Sequence, residues 1–289
     1  MRYENDMKDT DIKNSDKNSA ILTCLHLNAF YGKKKILSDI SFELKSSDFV
    51  FLCGPNGCGK STLLSSLAGI KNGSMNFSEN SILFGNNAIE SLKRNEISSK
   101  ASFMSQNESC IWDFSVEKFI SLGRFIHNDE KSEYASKLVE KYMEEMGILD
   151  LRGESVRNIS GGEFQKCRIA RSLVQETSFL LLDEPVASLD MDAQVSLLKK
   201  LKELCHHDKK AIIVSIHDLN LASIFADKIL LLKKCQTEKS CEPKKDERTF
   251  IFGSVDEVFS VQNLQAAYGT EFTLFTHPVY GVKQVCVKS

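Results

Sequence analysis

The sequence predicts an α/β fold in which helices cover both faces of a mostly parallel sheet. Two short apolar runs, "FLLLDEP" (179–185) and "AIIVSIHD" (211–218), are typical of strands buried in such a sheet. Segments with apolar residues at the three- and four-residue spacing of α-helices precede these two runs. A glycine-rich loop, "GPNGCGKS" (54–61), also joins a predicted strand to a predicted helix. This alternation of strands and helices indicates an α/β domain.

The first third of the chain predicts a polar tail, several strands and a helix. Residues 1–19 are polar and charged, and we expect them to be disordered. Alternating apolar and polar residues then predict short strands with turns at "YGK" and "SSD". "DFVFLC" (48–53) is a predicted buried strand, and "KSTLLSSLAGI" (60–70) a helix. The apolar face of that helix consists of Leu63, Leu64, Leu67 and Ala68.

The later segments predict three more helices and one exposed insertion. "SVEKFISLGRFI" (115–126) and "EYASKLVEKYMEEMGIL" (133–149) carry apolar residues at helical spacing. "SGGEFQKCRIARSLVQ" (160–175) predicts a helix whose inward side chains are Cys167, Ala170, Leu173 and Val174. The charged stretch 233–249 breaks this pattern, so we expect an exposed loop or a long hairpin tip there.

Composition narrows the class of protein. The 289 residues carry a net charge of −2, and the absence of a basic excess argues against a nucleic-acid partner. No segment approaches the ~18 apolar residues that span a bilayer, and the N-terminus lacks the apolar core of a signal peptide. We therefore expect a cytoplasmic protein unless it docks on a membrane component. Nine cysteines without a C-x-x-C pair indicate reduced thiols rather than a zinc site.

The glycine-rich loop fits the P-loop pattern G-x-x-x-x-G-K-[ST]. Its glycines let the backbone curl so that N–H groups point at phosphate oxygens, and the following helix adds the positive end of its dipole. We expect Lys60 to reach the β- and γ-phosphates of a nucleotide and Ser61 to ligate Mg²⁺.

Two carboxylates follow a predicted strand at the edge where α/β sheets bind ligands. We expect Asp183 to hold Mg²⁺, directly or through water. Glu184 is the candidate general base that polarises the attacking water. A strand that simply ends in two solvated acids is the plainer alternative, and the presence of the P-loop favours the functional one.

Further motifs lie on both sides of the P-loop in a fixed order. They are Tyr31, Gln106 in "FMSQNES", "ISGGE" (159–163), "SLD" (188–190) and His217 in "SIHDLN". Each residue alone has an ordinary explanation, such as a surface tyrosine or a loop amide. Together with the P-loop and "DEP", the set resembles the ATP-binding-cassette (ABC) ATPase family over roughly residues 20–289.

The resemblance implies the architecture and the ligands. The implied fold is a P-loop NTPase (RecA-like) core with an N-terminal antiparallel β subdomain and an α-helical subdomain inserted at about 107–160. The implied ligands are ATP and Mg²⁺. The residues implied to contact the nucleotide are Tyr31, Gly54, Pro55, Asn56, Gly57, Cys58, Gly59, Lys60, Ser61, Thr62, Gln106, Ser160, Gly161, Gly162, Glu163 and Asp190. The implied catalytic residues are Lys60, Glu184 and His217, and the implied Mg²⁺ ligands are Ser61, Gln106 and Asp183.

The resemblance also implies partners. In this family two subunits pair head to tail, so that the signature Ser160–Gly162 of one closes over the γ-phosphate held by Lys60 of the other. It implies a homodimer, or a paired ATPase subunit, on integral membrane permease subunits at the cytoplasmic face of the cell membrane. An extracytoplasmic substrate-binding protein would act on it indirectly.

A narrower resemblance concerns the cargo. "FSVEKFISLGRFIH" (114–127), "HDLNLASIFADKILLLKK" (217–234) and "GSVDEVFSVQNLQAAYG" (253–269) resemble importer ATPases for iron chelates, haem and cobalamin. Zinc and manganese importers share parts of these segments, including "LGR" (122–124), and remain an alternative. A soluble ABC protein of translation or DNA repair is a further alternative. Such proteins usually carry two cassettes or a long coiled-coil insertion, and this sequence shows neither. A metabolic P-loop kinase would not need the signature.

Some side chains keep two interpretations. Four apolar ones either line a groove for a permease helix or form the core of the helical subdomain: Met104, Trp112, Phe114 and Phe119. Phe164 stands where the importer group usually has a basic residue, and the sequence offers no explanation. Cys58 lies near a helix start, where thiol pKa values fall; a redox role is possible there, and a small tolerated side chain is the preferred interpretation.

Overall fold

A computed structural model describes residues 21–71, 73–108, 112–233 and 249–288. The expectations for the tail 1–19 and for most of the stretch 233–249, with Cys235 and Cys241, fall outside the described residues.

The described chain alternates strands and helices after an N-terminal run of strands. Strands β1 to β13 are, in order, Ile21–Tyr31, Lys34–Lys45, Phe49–Cys53, Met75–Phe77, Ile82–Phe84, Asn87–Ala88, Ala101–Met104, Phe179–Leu182, Ala211–Ser215, Lys228–Leu232, Phe250–Gly253, Phe272–Thr276 and Lys283–Val287. Helices α1 to α9 are Lys60–Leu67, Arg94–Lys100, Val116–Ser121, Glu133–Glu145, Gly161–Leu173, Met191–His207, Leu219–Phe225, Val255–Val258 and Val261–Tyr268. Among the described residues, 3₁₀ turns span Ile89–Ser91, Leu122–His127 and Leu149–Leu151.

The central sheet has the strand order β11-β10-β3-β9-β8-β7. All neighbours are parallel except the pair β10–β11. Because the strands are parallel, the carboxyl ends of β3, β8 and β9 meet at one edge. The P-loop, "DEP" and "SIHD" therefore share that edge, and the predicted α/β class is confirmed.

Side chains of the central strands divide between two apolar cores. In β3, Phe49, Phe51 and Cys53 join the core beneath α5 and α6, whereas Val50 and Leu52 join the core shared with α1. This alternation is the two-residue repeat of a strand. Both faces of the strand are buried, which explains why its sequence is uniformly apolar.

An antiparallel sheet covers the second core. Its order is β2-β1-β5-β6, with β4 paired to β1. The predicted antiparallel β subdomain is therefore present. Its long strand β1 ends at Tyr31, which pairs with Lys34 across the turn to β2.

Helices α3 and α4 follow β7 and precede β8 along the chain, and both pack against α5. The sequence pattern predicts one helix over 115–126, but α3 ends at Ser121 and a 3₁₀ turn follows. A Cβ on Gly123 would clash with the carbonyl oxygen of Arg171, so this turn packs closely against α5. The next residue, Arg124, is buried and bonds to Asp129 and Glu176. The "LGR" stretch thus docks the helical region on the end of α5.

The chain after β10 returns along the sheet and ends in the β12–β13 hairpin beside α7. Within the described residues, no helix combines the length and the apolar character needed to cross a bilayer.

Candidate functional site

The P-loop joins β3 to α1 in a conformation that requires glycine. A Cβ on Gly54 would lie 2.7 Å from both the Cys58 sulfur and the Leu232 carbonyl oxygen. Gly59 has φ 106°, a value that side chains disfavour, and it begins α1 without a side-chain cap. The first turn of α1 therefore presents backbone N–H groups that no capping side chain satisfies, which suits an anion.

Lys60 is the buried cation of this loop. Its side chain folds back, and Nζ donates to the carbonyl oxygens of Gly54 at 2.8 Å and Pro55 at 3.3 Å. Ser61 is exposed beside it on the first turn of α1. A phosphate group bound in the loop would give Nζ an anionic acceptor in place of two neutral ones, and charge-assisted hydrogen bonds are the stronger kind.

Cys58 is buried within the loop rather than presented to solvent. Its side chain is 2% exposed, and burial raises the pKa of the thiol although Lys60 and backbone amides act in the opposite direction. A raised pKa leaves little thiolate, so the structure does not support a redox role and favours the small tolerated side chain.

The carboxylate of Glu184 is the meeting point of two other sequence-predicted residues. Gln106 Nε2 donates to Glu184 Oε2 at 2.8 Å. His217 Nε2 lies 2.6 Å from Glu184 Oε1. The three side chains come from the ends of three neighbouring strands, β7, β8 and β9. They are brought together although they are as many as 111 positions apart in the chain, from 106 to 217.

Glu184 has an unusual backbone conformation for a residue with a side chain. Its φ is 51°, in the left-handed region. Two bonds hold it there: its N–H donates to Ser215 Oγ at 2.8 Å, and its carbonyl accepts from Gln165 Nε2 at 3.3 Å. Strained residues held by surrounding structure cluster at functional sites, which is consistent with a working carboxylate here.

Ser215 is a site residue that the sequence reasoning missed. Its fully buried hydroxyl donates to Asp183 Oδ1 at 2.6 Å and accepts from the Glu184 N–H at 2.8 Å. It therefore orients both carboxylate-bearing residues. A usable signal was present: Ser215 interrupts the apolar residues of the predicted strand run 211–218, two positions before His217.

The proposed Mg²⁺ ligands offer oxygen donors, which this ion prefers. Asp183 is 1% exposed at the end of β8, so its carboxylate is desolvated and suits a cation. Ser61 contributes a hydroxyl. Gln106 uses its amide nitrogen for Glu184, which leaves the amide oxygen as its ligating atom. This donor chemistry fits the ion.

The signature motif forms the start of α5. Ser160 and Glu163 make a capping box in which each side chain accepts from the other's backbone N–H, at 3.3 and 2.8 Å. The hydrogen bonds from Ser160 hold the pKa of Glu163 below its usual value. A Cβ would meet nothing within 4 Å at Gly161, but would lie 3.2 Å from Leu189 at Gly162. The described structure joins these residues to one another and not to the P-loop.

Two further predicted residues lie at the start of α6 and at the end of β1. Asp190 caps α6 by accepting from the Ala193 N–H at 2.8 Å. Tyr31 is 40% exposed at the end of β1, so its side chain is partly accessible to a ligand.

The four apolar candidates for a docking groove separate into two groups. Met104 and Phe119 are buried in the core, and Phe114 packs against it, which favours the packing interpretation for these three. Trp112 is 70% exposed and keeps the docking interpretation. Phe164 packs its ring 5.3 Å from that of Phe119, so the residue without a sequence explanation joins α5 to α3.

Comparison with known proteins gives the family. Residues 37–187, more than half of the chain, match the family model described as "ABC transporter". This chain belongs to the ABC transporter family. The ATP-binding proteins of ABC transporters are ATPases, and this ABC protein is accordingly an ATP-binding ATPase.

Several known ABC proteins are similar to it over most of its length. The petrobactin import ATP-binding protein of Bacillus anthracis is 28% identical over 88% of this chain and 89% of its own. The hemin import ATP-binding protein of Bradyrhizobium diazoefficiens is 32% identical over 74% of this chain and 80% of its own. A solved inward-facing metal-chelate type ABC transporter has a TM-score of 0.73 and 22% identity, covering 93% of this chain and 98% of that one. The last comparison supports the ABC ATPase fold.

Proposed function

We propose that this chain is the energy-coupling ATPase of an importer whose cargo is an iron–siderophore complex, haem or cobalamin. The observation that carries the ATPase mechanism is the pair of bonds from Gln106 and His217 to the two oxygens of Glu184. The names of the petrobactin and hemin relatives support the class of cargo.

In the proposed mechanism, the P-loop and Lys60 hold the phosphates of ATP while Tyr31 stacks on adenine. Ser61, Gln106 and Asp183 would hold Mg²⁺, which neutralises charge on the β- and γ-phosphates when bound. Glu184 accepts the proton of the attacking water, and His217 orients that carboxylate and contacts the γ-phosphate.

The signature motif serves the partner's nucleotide in this proposal. The first turn of α5, from Ser160 to Gly162, closes over the γ-phosphate held by the other subunit's P-loop. The open space at Gly161 supports such an approach, since nothing in the described part of its own chain lies within 4 Å of a Cβ placed there. ATP then joins two subunits and hydrolysis separates them, which is a two-state switch able to drive a partner.

The proposed partners are a second copy of this chain and integral membrane permease subunits, with an external binding protein acting indirectly. The chain would sit at the cytoplasmic face of the membrane. The exposed Trp112, in the helical region near Gln106, supports a docking surface there. Zinc or manganese import remains the second candidate because those importers share the "LGR" stretch. In this structure Gly123 and Arg124 pack that stretch against the end of α5. Because this role is in packing within the chain, the stretch does not discriminate between cargoes.

The mechanism is tested by trapping the dimer with ATP. We expect Glu184→Gln to lower steady ATP hydrolysis by roughly 10²–10⁴-fold, because the general base is lost, while ATP stays bound. Size-exclusion chromatography with ATP should then show a stable dimer. Ser160→Arg is the matched arm: it should bind ATP as a monomer and neither dimerise nor hydrolyse. Full hydrolysis by Glu184→Gln would remove Glu184 as the base.

The cargo is tested with the complete transporter in lipid. ATP hydrolysis should rise when the binding protein is loaded with a ferric chelate, haem or cobalamin, because loaded binding protein favours the closed dimer. Binding protein loaded with zinc or manganese is the control. Stimulation by those two ions alone would establish the second candidate instead.

A further inference from the structure

Two polar side chains on the inner face of α5 are buried next to the hydrolytic residues. Gln165 is 5% exposed and Arg168 is 3% exposed. They lie five and eight positions after Ser160, which begins the signature. Neither residue belongs to the motifs that the proposed function uses.

Each of the three guanidinium nitrogens of Arg168 donates to the loop that carries Gln106. Nη1 donates to the Gln106 carbonyl at 3.4 Å, and Nη2 makes a close bond to the Ser105 carbonyl. Nε donates to Glu108 Oε2 at 3.3 Å, and Nη1 also donates to Gln165 Oε1 at 2.7 Å. Every contact except the last ties α5 to this loop.

These contacts close a ring that contains Glu184. Gln165 Nε2 donates to the Glu184 carbonyl at 3.3 Å, and Gln106 Nε2 donates to the Glu184 carboxylate at 2.8 Å. The ring therefore runs from Arg168 through Gln106, Glu184 and Gln165 back to Arg168. A shift of α5 must move the Gln106 loop or break a bond in this ring.

Packing alone does not require an arginine at this position. Burying a guanidinium removes its hydration, and replacing buried ion pairs with apolar residues is often neutral or stabilising. The buried guanidinium instead fixes geometry, because its planar fork reaches two neighbouring carbonyls of one loop and one amide of its own helix.

We propose that Arg168 is a positioning residue that couples the two ATP sites of the dimer. The inference rests on the proposed function, because only in a head-to-tail dimer do Ser160 and Glu184 of one chain serve different nucleotides. Helix α5 spans both: Ser160 and Arg168 are about 12 Å apart along its axis. Closure of the signature over one nucleotide then sets, through the ring, the position of Gln106 and Glu184 at the other.

The test measures cooperativity in the complete transporter. Wild type should hydrolyse ATP with a Hill coefficient above 1 and at most about 2, since the dimer has two sites. Arg168→Met removes the donors and keeps the length, and its Hill coefficient should fall to about 1. Arg168→Lys restores one charged donor and should recover part of the cooperativity. A loss of packing alone would lower thermal stability and rate without changing the Hill coefficient.

Arg171→Met is the matched control. Arg171 lies on the same helix and bonds to the same Glu108, at 2.6 Å, but it takes no part in the ring. Its replacement should leave the Hill coefficient at the wild-type value.

A second variant breaks the ring elsewhere. Gln165→Glu keeps acceptors for Arg168 and loses the donor to the Glu184 carbonyl, so it should also abolish cooperativity even where Arg168→Met fails to fold. A wild-type Hill coefficient of 1, or wild-type cooperativity in both ring variants, would overturn the inference. Absence of ATP hydrolysis by the wild-type transporter would instead refute the proposed function.

Discussion

The geometry of the two acids proposed to act in hydrolysis, Asp183 and Glu184, depends on one serine. The Ser215 side chain forms hydrogen bonds with both Asp183 and Glu184. His217 follows it by two positions, in the loop after β9. Without that hydroxyl, the buried carboxylate oxygen of Asp183 would lose its hydrogen-bond donor. The backbone N–H of Glu184, whose φ is positive, would lose its acceptor. A side chain of β9 thus fixes the positions of the two adjacent acids that follow β8.

We expect Ser215→Ala to lower the free energy of unfolding by about 1–3 kcal/mol, because buried polar groups lose their partners. ATP hydrolysis should also fall, since Glu184 would no longer be held. Urea unfolding and steady ATPase rates measure the two effects.

Ser66→Ala is the matched control for that prediction. Ser66 is equally buried, and its hydroxyl donates to the Thr62 carbonyl one turn earlier in α1. Its replacement should cost less than the change at Ser215. Equal losses from both variants would show that the hydroxyl of Ser215 has no special role.

At the scale of elements, the sequence predicted best where local pattern and burial agree. Strands β3 and β8 are apolar throughout, and β9 is apolar up to its last residue, Ser215, because both faces of these strands are covered. Helix α5 follows a capping serine with Glu163 three positions later, which is a start signal that needs no tertiary information.

Elements shaped by tertiary contacts were harder to predict. The apolar spacing over 115–126 continues through Ser121, but the close approach of Gly123 to α5 changes the winding there. Likewise, nothing near Phe164 in sequence indicates that Phe119 is its partner. The ring through Arg168 and Gln106 also joins segments about sixty positions apart, so no local pattern could indicate it.

At the scale of the whole molecule, one carboxylate joins the helical layer to the sheet at the edge opposite the P-loop. Asp227 Oδ1 lies 3.0 Å from Lys202 Nζ, and Asp227 Oδ2 lies 2.7 Å from Nε2 of His206; both partners belong to α6. It also accepts from the N–H of Phe49, where β3 begins, at 3.2 Å. Burial alone would raise the pKa of Asp227, but the hydrogen bonds from His206 and Lys202 outweigh it and hold the pKa below its usual value.

We expect Asp227→Asn to destabilise the protein in a pH-dependent way. A carboxyl whose pKa is lowered by folding contributes stability above its unfolded pKa of about 3.9, and loses that contribution as pH falls through the folded value. The difference in unfolding free energy between wild type and variant should therefore be full near neutral pH and shrink below about pH 4. Urea unfolding at several pH values measures this difference.

Asp256→Asn is the control for the acid effect. Asp256 is 82% exposed and lies 3.5 Å from Lys283, so water and salt screen the pair. Its replacement should change stability little at any pH. A gap between wild type and Asp227→Asn that stays constant with pH would contradict the assignment.

The capping box at the start of α5 has a consequence for selectivity among anions. The carboxylate of Glu163 is tethered at the very helix end that would receive a phosphate group. This carboxylate competes with free anions for the N–H groups of the helix end. Because it belongs to the same chain, its effective concentration there exceeds that of dilute sulfate or inorganic phosphate. An anion must therefore arrive with other attachments of its own before it displaces the carboxylate, as a nucleotide already anchored on a second protein surface would.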